Sequence, residues 1–287
     1  MQHSNVARGI ALMVAATLMF TLMDVCAKAL STRVDTVQTL WARYTVQMLV
    51  VTLIVLPRLR TVVHTTRLGL QIFRAFALLA TTGFFFFGFK KMSLIETTSL
   101  MQISPIFIMI GAAVFLGEKF GPRRAVAAGF ALLGAMIILR PTSDAFTPYA
   151  FLTLGGTICY STYALATRYA GRGEDVWTSL FYTGTVATLV LCVMVPFFWQ
   201  PIEASDLPYL LGVGLLGTVG QLLLIRSLSM APASVLAPFT YVALIFSSVW
   251  GVVFFNSYPD GPVYIGALVI VGAGLYVWHR ETRVKTS

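Results

Sequence analysis

The sequence predicts an all-α membrane protein with about ten transmembrane helices. Composition is the first reason: 57% of the 287 residues are hydrophobic and 11% are charged, whereas soluble globular domains contain about 25% charged residues. Mean hydropathy is +0.83. Spacing is the second reason, because the charged residues lie in clusters between apolar runs of about 20 residues, the length that a helix needs to cross a bilayer. A soluble fold is therefore excluded, and each apolar run is a predicted span.

The first half of the chain contains five of these apolar runs, numbered spans 1 to 5. Charged connections separate them, and the charge is densest at residues 58–74 and 118–124. Pro105 falls near the middle of span 4, where the missing backbone N–H predicts a kink. The predicted limits are residues 8–30, 37–57, 69–89, 94–117 and 123–140.

The second half contains five further runs, spans 6 to 10. The charged segment 168–175 separates the first two of them, and a basic tail begins at Arg280. Pro238 predicts a second kink, in span 9. The predicted limits are residues 148–169, 176–199, 208–227, 233–256 and 262–279.

The distribution of Lys and Arg predicts the orientation of the spans. With the N-terminus inside, the inner connections hold most of these residues, including Arg58, Arg67 and Arg124, and the outer connections hold few, such as Arg33 and Lys90. Basic residues favour cytoplasmic loops, so both termini are predicted to be cytoplasmic in a bacterial inner membrane. The same bias accounts for the net charge of +9, and no binding of nucleic acid is expected.

A weak internal repeat divides the chain into residues 1–143 and 144–287. At an offset of 140 residues Lys28 aligns with Arg168, and at a closely similar offset of 136 Lys90 aligns with Arg226. Each half has an odd number of spans, so the two halves must have opposite orientations in the membrane. The sequence thus predicts two inverted five-helix repeats.

Motifs for catalysis and for metal binding are absent from the sequence. It contains no H-E-x-x-H, no G-x-S-x-G and no Walker-type glycine loop. The three cysteines lie inside apolar runs without C-x-x-C spacing, and the three histidines lie at span ends or in loops. The prediction is a protein that is not an enzyme and that needs neither a metal nor a cofactor.

Ionisable residues inside the spans are the first candidate functional residues, because a charge in the hydrocarbon core is costly. Asp24 and Arg43 lie well inside the outer ends of spans 1 and 2, and Glu96 lies nearer the rim. Lys28 follows Asp24 by one helical turn, a spacing that permits an ion pair. Two interpretations stay open: Asp24, Lys28 and Arg43 neutralise one another and hold helix ends together, or one of them meets a substrate or a coupling proton.

The second half offers aromatic side chains in place of these charges. Tyr160, Tyr163, Tyr241 and Trp250 could stack on a planar or cationic ligand, or they could pack or face lipid. The electrically uneven halves would give a central cavity with one charged side and one aromatic side.

Two glutamines are the remaining candidates from the residues alone. Gln102 lies beside the predicted kink of span 4 and could face a site at the membrane midplane. Gln221 in span 8 adjoins a small-residue face that predicts close helix packing rather than ligand binding. The face consists of Gly214, Gly217 and Gly220.

Four stretches of the sequence resemble the EamA-type carriers of the drug/metabolite transporter superfamily, and the resemblance extends over essentially the whole chain. The most specific stretch opens span 9. The acidic turn that often ends span 9 in that family is absent here, where residues 255–260 read FNSYPD. The four stretches are residues 20–24 with Lys28, residues 41–44, residues 116–119 and residues 230–241.

The resemblance implies a ten-helix inverted repeat with a central cavity lined by spans 1 to 4 and 6 to 9. Spans 5 and 10 would lie at the periphery, where they could support a homodimer. The Asp24-containing span and the Ala42-Arg43-Tyr44 segment are most similar to a branch that includes proposed carriers of riboflavin and S-adenosylmethionine, which adds Tyr44 to the candidate site.

The leading functional hypothesis is alternating-access transport of a small polar or amphipathic organic metabolite, driven by a proton gradient or by exchange. Asp24 or Glu96 is the candidate coupling acid, and Arg43 is the candidate anion contact or counter-ion. Two other classes stay open: a membrane-embedded enzyme that uses Asp24 or Glu96 as acid or base, and a membrane assembly or sensor component that transports nothing.

Overall fold

The computed structural model of the chain is built from α-helices and short 3₁₀ turns, and its described residues contain no β-strand. It describes residues 2–104, 106–108, 111, 122–139, 148–170, 175–230, 236 and 239–284. The predicted all-α membrane fold is confirmed at this level.

Most helices of the first half begin and end within a few residues of the predicted limits, but α1 begins at Gln2, six residues early, and α5 ends at Met101. Most of residues 105–117, the rest of predicted span 4, lie outside the described residues. Span 2 continues beyond α2 through a 3₁₀ turn at Leu56–Arg58 and the short helix α3, because Pro57 has no backbone N–H to extend the α-helical pattern. Spans 1, 2, 3, 4 and 5 correspond to α1, α2, α4, α5 and α6. The bounds are α1 Gln2–Leu30, α2 Thr36–Val55, α3 Leu59–Val63, α4 Leu68–Gly88, α5 Leu94–Met101 and α6 Pro122–Leu139.

The helices of the second half also follow the predicted spans, and spans 6 to 10 correspond to α7 to α11. The last turn of span 7 is a 3₁₀ turn at Val195–Phe198, since Pro196 cannot donate an α-helical hydrogen bond. The bounds are α7 Pro148–Ala170, α8 Val176–Met194, α9 Leu207–Met230, α10 Val242–Phe255 and α11 Gly261–Val284.

Within the described residues, five helical segments are long and apolar enough to cross a membrane: Ala7–Leu30, Thr36–Val63, Leu68–Gly88, Val176–Phe198 and Ala204–Met230. Shorter apolar helices begin at Leu94, Val242 and Gly261. The predicted kinks at Pro105 and Pro238, the 118–119 turn and residues 231–235 of the family stretch lie outside the described residues.

The helices pack in pairs that join the two halves of the chain. The main partners are α1 with α9, α4 with α7, α2 with α8, and α6 with α11, and α5 lies against α10. Large apolar side chains face outward, among them Phe197 at 82% exposure and Leu268 at 71%. Exposed apolar surface of this extent fits contact with lipid.

Close contact between α1, α2 and α9 depends on the glycine face predicted in span 8. A Cβ added at Gly214 would lie 2.3 Å from Val46 Cβ, and one added at Gly220 would lie 3.0 Å from the Phe20 ring. The absence of these side chains lets the backbones approach one another, so the predicted packing role of this face is confirmed.

Replacing Gly214 with alanine is expected to destabilise the protein by about 1–3 kcal/mol, the usual cost of overpacking a core. The β-branched Val46 side chain cannot rotate out of the way, so α2 and α9 must move apart. Thermal unfolding in detergent would measure the loss. Gly272→Ala is the matched control because nothing lies within 4 Å of its added Cβ, and an equal loss in both variants would contradict the packing explanation.

Candidate substrate site

A buried guanidinium lies where α1, α2 and α9 meet. Arg43 is 2% exposed, its Nε donates to Met23 Sδ at 3.4 Å, and its Cζ lies 4.4 Å from the centre of the Tyr44 ring. Gly217 makes the space, since a Cβ at this position would lie 3.2 Å from Arg43 Nε and 2.9 Å from Met23 Sδ. The arginine is thus enclosed by sulfur, an aromatic face and helix backbone.

Asp24 of α1 interacts electrostatically with Arg43 but does not form a salt bridge with it. Arg43 is the charged residue within electrostatic reach of the Asp24 carboxylate, but no N–O distance between them falls within the 4.0 Å of a salt bridge in the described part of the chain. Arg43 Nη1 is buried and has no hydrogen-bond partner among the described residues. Among the described residues, Arg43 therefore keeps one buried donor without a partner, in the electrostatic range of an acid.

Lys28 does not form the ion pair with Asp24 that the helical spacing permits. Its Nζ donates to the carbonyl oxygens of Phe89 and of Met92, the latter at 2.7 Å. Phe89 follows the last residue of α4 and Met92 lies in the turn before α5, so neither carbonyl has a partner from a continuing helix. Hydrogen bonds from a charged donor to such carbonyls are stronger than an i,i+4 ion pair. Of the two interpretations left open by the sequence, neutralisation of Asp24 by Lys28 is not supported, and Lys28 instead joins α1 to the α4–α5 turn.

Glu96 caps the start of α5. Its Oε2 accepts from Ser93 N at 2.8 Å and from Ser93 Oγ at 2.9 Å, while Glu96 N donates back to Ser93 Oγ at 3.3 Å. This reciprocal capping box holds the carboxylate at the helix terminus. Lys28 is within electrostatic reach of Glu96, so these two residues belong to the predicted outer end, apart from Asp24 and Arg43.

Tyr44 connects α2 to α4 beneath the guanidinium. Its hydroxyl lies 3.1 Å from the carbonyl oxygen of Leu78, to which it donates, and 3.0 Å from Thr82 Oγ1. The side chain is fully buried. Its position fixes the aromatic ring against Arg43.

Three second-half candidates are brought to the same interior. Gln221 Nε2 donates to the Tyr163 hydroxyl at 3.3 Å, which bridges α9 and α7. Gln221 Oε1 is buried without a partner among the described residues, and Tyr163 is within electrostatic reach of Tyr44. The Tyr160 ring lies 6.4 Å from the Tyr163 ring, centre to centre. Gln221 is therefore a polar contributor, which the small-residue face alone did not indicate.

The last three candidates lie elsewhere in the bundle. Trp250 Nε1 donates to Thr21 Oγ1 at 3.2 Å and so joins α10 to α1. Tyr241 is 9% exposed and directly precedes α10. Gln102 directly follows α5, and its buried Nε2 has no partner among the described residues.

Arg74 was missed as a candidate by sequence reasoning. It counted as part of the basic connection 58–74, yet it lies in α4 at 2% exposure. Its Nε donates to Thr167 Oγ1 at 3.0 Å, and its Nη1 donates to Gln71 Oε1 at 3.0 Å and to Ser179 Oγ at 3.1 Å. The available signal was its place inside predicted span 3, well past the first residue.

The interior thus presents hydrogen-bond donors, one carboxylate and aromatic faces from both halves of the chain. Its described residues include no group of three His, Cys, Asp or Glu side chains that could hold a metal ion. The arrangement suits reversible binding of a polar organic molecule. Residues 7–140 and 147–278 each match the EamA-like transporter family. The chain belongs to that family. It is accordingly a multi-pass membrane protein, and the predicted resemblance is confirmed.

Bacterial relatives of this chain are named as transporters or exporters. The pseudopaline exporter CntI of Pseudomonas aeruginosa is 27% identical over 194 residues, which are 66% of this chain and 67% of the relative. A riboflavin transporter of Rhizobium johnstonii is 33% identical over 203 residues, 68% of this chain and 65% of the relative. An S-adenosylmethionine uptake transporter of Rickettsia bellii is 24% identical over 263 residues, 92% and 90% of the two chains.

A solved crystal structure has a similar fold. The two chains superpose with a TM-score of 0.65 at 18% sequence identity, over 94% of this chain and 98% of the other. At that identity the likeness shows the fold alone.

Proposed function

We propose that this protein is a secondary active carrier that moves a small polar or amphipathic organic metabolite across the bacterial inner membrane by alternating access. The observation that carries the proposal is the buried polar interior shared by both halves. Arg43 Nη1 and Gln221 Oε1 are a donor and an acceptor without partners among the described residues. Buried polar groups are normally hydrogen-bonded, and a passing ligand would satisfy these two.

The proposed architecture is ten spans in two inverted halves, residues 1–143 and 144–287, with both termini cytoplasmic. The helix pairing supports it: adding five to each span number converts the pair of spans 1 and 8 into the pair 6 and 3, and it leaves pairs 2–7, 4–9 and 5–10 unchanged. Pairing of this kind is expected of two halves related by a twofold axis in the membrane plane.

Asp24 is the proposed coupling acid, because Glu96 is occupied in capping α5. Arg43 is its counter-ion when the cargo is absent and a cargo contact when it is present. Tyr163 and Tyr160 form the aromatic side of the site, and the driving force is a proton gradient or exchange. Cargoes suggested by the names of the relatives are flavins, sulfonium compounds and pseudopaline.

The first experiment is a thermal-shift screen of the purified protein against flavins, nucleosides, sulfonium compounds and amino acids, since a ligand that prefers the folded state raises the unfolding temperature. A ligand that is found there is then tested for uptake into liposomes. A carrier returns its cargo chemically unchanged, so conversion of the ligand to a product would indicate an enzyme. The absence of any shift would favour the non-transporting alternative.

The coupling assignment predicts different results for the two acids. Asp24→Asn is expected to remove the pH dependence of uptake, whereas Glu96→Gln, whose amide can still accept from Ser93, is expected to retain it. Uptake measured in liposomes between pH 5 and 8, roughly the range in which a perturbed carboxylate can titrate, separates them. Wild-type pH dependence in Asp24→Asn would show that Asp24 does not couple.

A homodimer through spans 5 and 10 is a further part of the proposal. α6 and α11 pack against each other, and their outward faces expose large apolar side chains such as Phe130, Leu133 and Leu268. Native mass spectrometry from detergent would test it, and a strictly monomeric spectrum would contradict it.

A further inference from the structure

The Arg74 guanidinium is held in one orientation by three helices. It has five N–H groups, of which Nε uses one on Thr167, and Nη1 uses two, on Gln71 and Ser179. The ring of Tyr163 lies 5.6 Å from Arg74 Cζ. Both N–H groups of Nη2 have no hydrogen bond to the described residues, and Nη2 is not among the atoms fully enclosed without a partner.

Among the residues that the structure describes, no acid neutralises Arg74. The buried charged side chains of the described residues are Arg43, Arg74 and Asp206. Asp206 pairs with Arg33 at 3.0 Å, and Arg43 has Asp24 within electrostatic reach. Its hydrogen-bond partners among the described residues, Thr167, Gln71 and Ser179, are all neutral, and no described carboxylate lies within 4.0 Å of it. An unneutralised charge within a membrane bundle is costly and marks a functional position.

We propose that Arg74 is an anion subsite of the carrier and that the cargo bears an acidic oxygen group, a carboxylate or a phosphate, which Nη2 binds. This inference rests on the proposed transport function and specifies its cargo. Arginine suits the role because its charge is permanent and its planar donors bind acidic oxygens. The neutral partners hold the guanidinium in place but do not neutralise its charge, so the acidic group of the cargo would supply the counter-charge.

The subsite adjoins the rest of the polar interior. The Tyr163 ring faces Arg74 while its hydroxyl accepts from Gln221, and Gln221 lies one helical turn along α9 from Gly217, against which Arg43 packs. At 1.5 Å per residue, Arg43 lies about 10 Å from the start of α2 and Arg74 lies about 9 Å from the start of α4. In the proposed topology these two helix starts are at opposite membrane faces, which would place Arg43 in the outer part of the interior and Arg74 in the inner part.

The test uses matched pairs of compounds that differ in one acidic group. A phosphate is tested by comparing riboflavin 5′-phosphate with riboflavin. A carboxylate is tested by comparing S-adenosylmethionine with its decarboxylated form, and glutamate with glutamine. Thermal shift of the wild-type protein is expected to show binding of the acidic member of at least one pair and roughly tenfold to a hundredfold weaker binding of the other member. The pair that responds identifies the source of the acid.

Variants separate a binding role from a structural one. Arg74→Gln is expected to abolish the preference for the acidic member, and Arg74→Lys is expected to retain part of it. The control is Arg67→Gln, which removes the same charge from an exposed position just before α4 and is expected to leave the preference unchanged.

Three outcomes would overturn the proposal, in distinguishable ways. Equal binding of both members by the wild-type protein would refute the anionic cargo and leave the carrier function standing. A lower unfolding temperature of Arg74→Gln with an intact acid preference would show a structural role only. The absence of binding by every compound in the panel and in the wider screen would remove the proposed function, and the subsite with it. If Arg74→Gln does not fold, the binding of acidic and neutral compounds by the wild-type protein still tests whether the cargo is anionic.

Discussion

Arg43→Gln is expected to reduce uptake about a hundredfold or more, which corresponds to a loss of about 3 kcal/mol. Glutamine removes the positive charge of Arg43 and leaves the Asp24 carboxylate within the bundle without a counter-ion. Removing one partner of a buried ion pair typically costs about 3–5 kcal/mol. Initial uptake rates in liposomes, normalised to folded protein, measure the effect. Arg226→Gln is the control, because that arginine is exposed on α9 and its loss should change uptake little.

A double-mutant cycle tests whether the defect arises from Asp24. If the two charges interact, Asp24→Asn combined with Arg43→Gln should unfold at a higher temperature than the sum of the single effects predicts, because the double variant has no unpaired charge. Additive losses would mean that Arg43 acts independently of Asp24. In that case the effect would arise from its other contacts, to Met23 and Tyr44, or from Nη1, which has no partner among the described residues.

Helix positions could be predicted from the sequence because the bilayer imposes a length and excludes charge. Predicted span 6 began at residue 148 and span 7 at residue 176, and the structure begins α7 and α8 at these residues. Differences occur at prolines, where Pro57 and Pro196 convert the last turn of an apolar run into a 3₁₀ turn. Hydropathy does not detect such a change, since the run remains apolar.

Side-chain partners could not be predicted in the same way, because they are chosen by tertiary contacts. Lys28 donates to the carbonyl oxygens of Phe89 and Met92, 61 and 64 residues away in the sequence, and not to Asp24, one helical turn before it. Arg74 owes its burial to Thr167 and Ser179, which are 93 and 105 residues distant. A pattern confined to one helix identifies Asp24 and Arg43 as unusual, but it does not show which residues of the opposite half meet them.

Lys28→Met is expected to lower the unfolding temperature by roughly 5 °C or more, from a loss of about 3 kcal/mol. Methionine retains the length of the side chain but donates nothing, so the carbonyls of Phe89 and Met92 lose a charged donor. A weaker contact remains at Phe89, whose carbonyl oxygen lies 3.4 Å from Ser31 Oγ. Lys91→Met is the control, since that neighbouring lysine is exposed.

The same substitution should loosen the α4–α5 turn specifically. α1 meets this turn through Lys28, so hydrogen exchange should accelerate in peptides that cover residues 89–93 before it changes in α2 or α9. Uniform acceleration along the chain would show that Lys28 stabilises the whole bundle and does not act as a local connection. Unchanged exchange together with an unchanged unfolding temperature would refute the bond itself. A local change would identify Lys28 as the residue that holds the end of α1 against the α4–α5 turn.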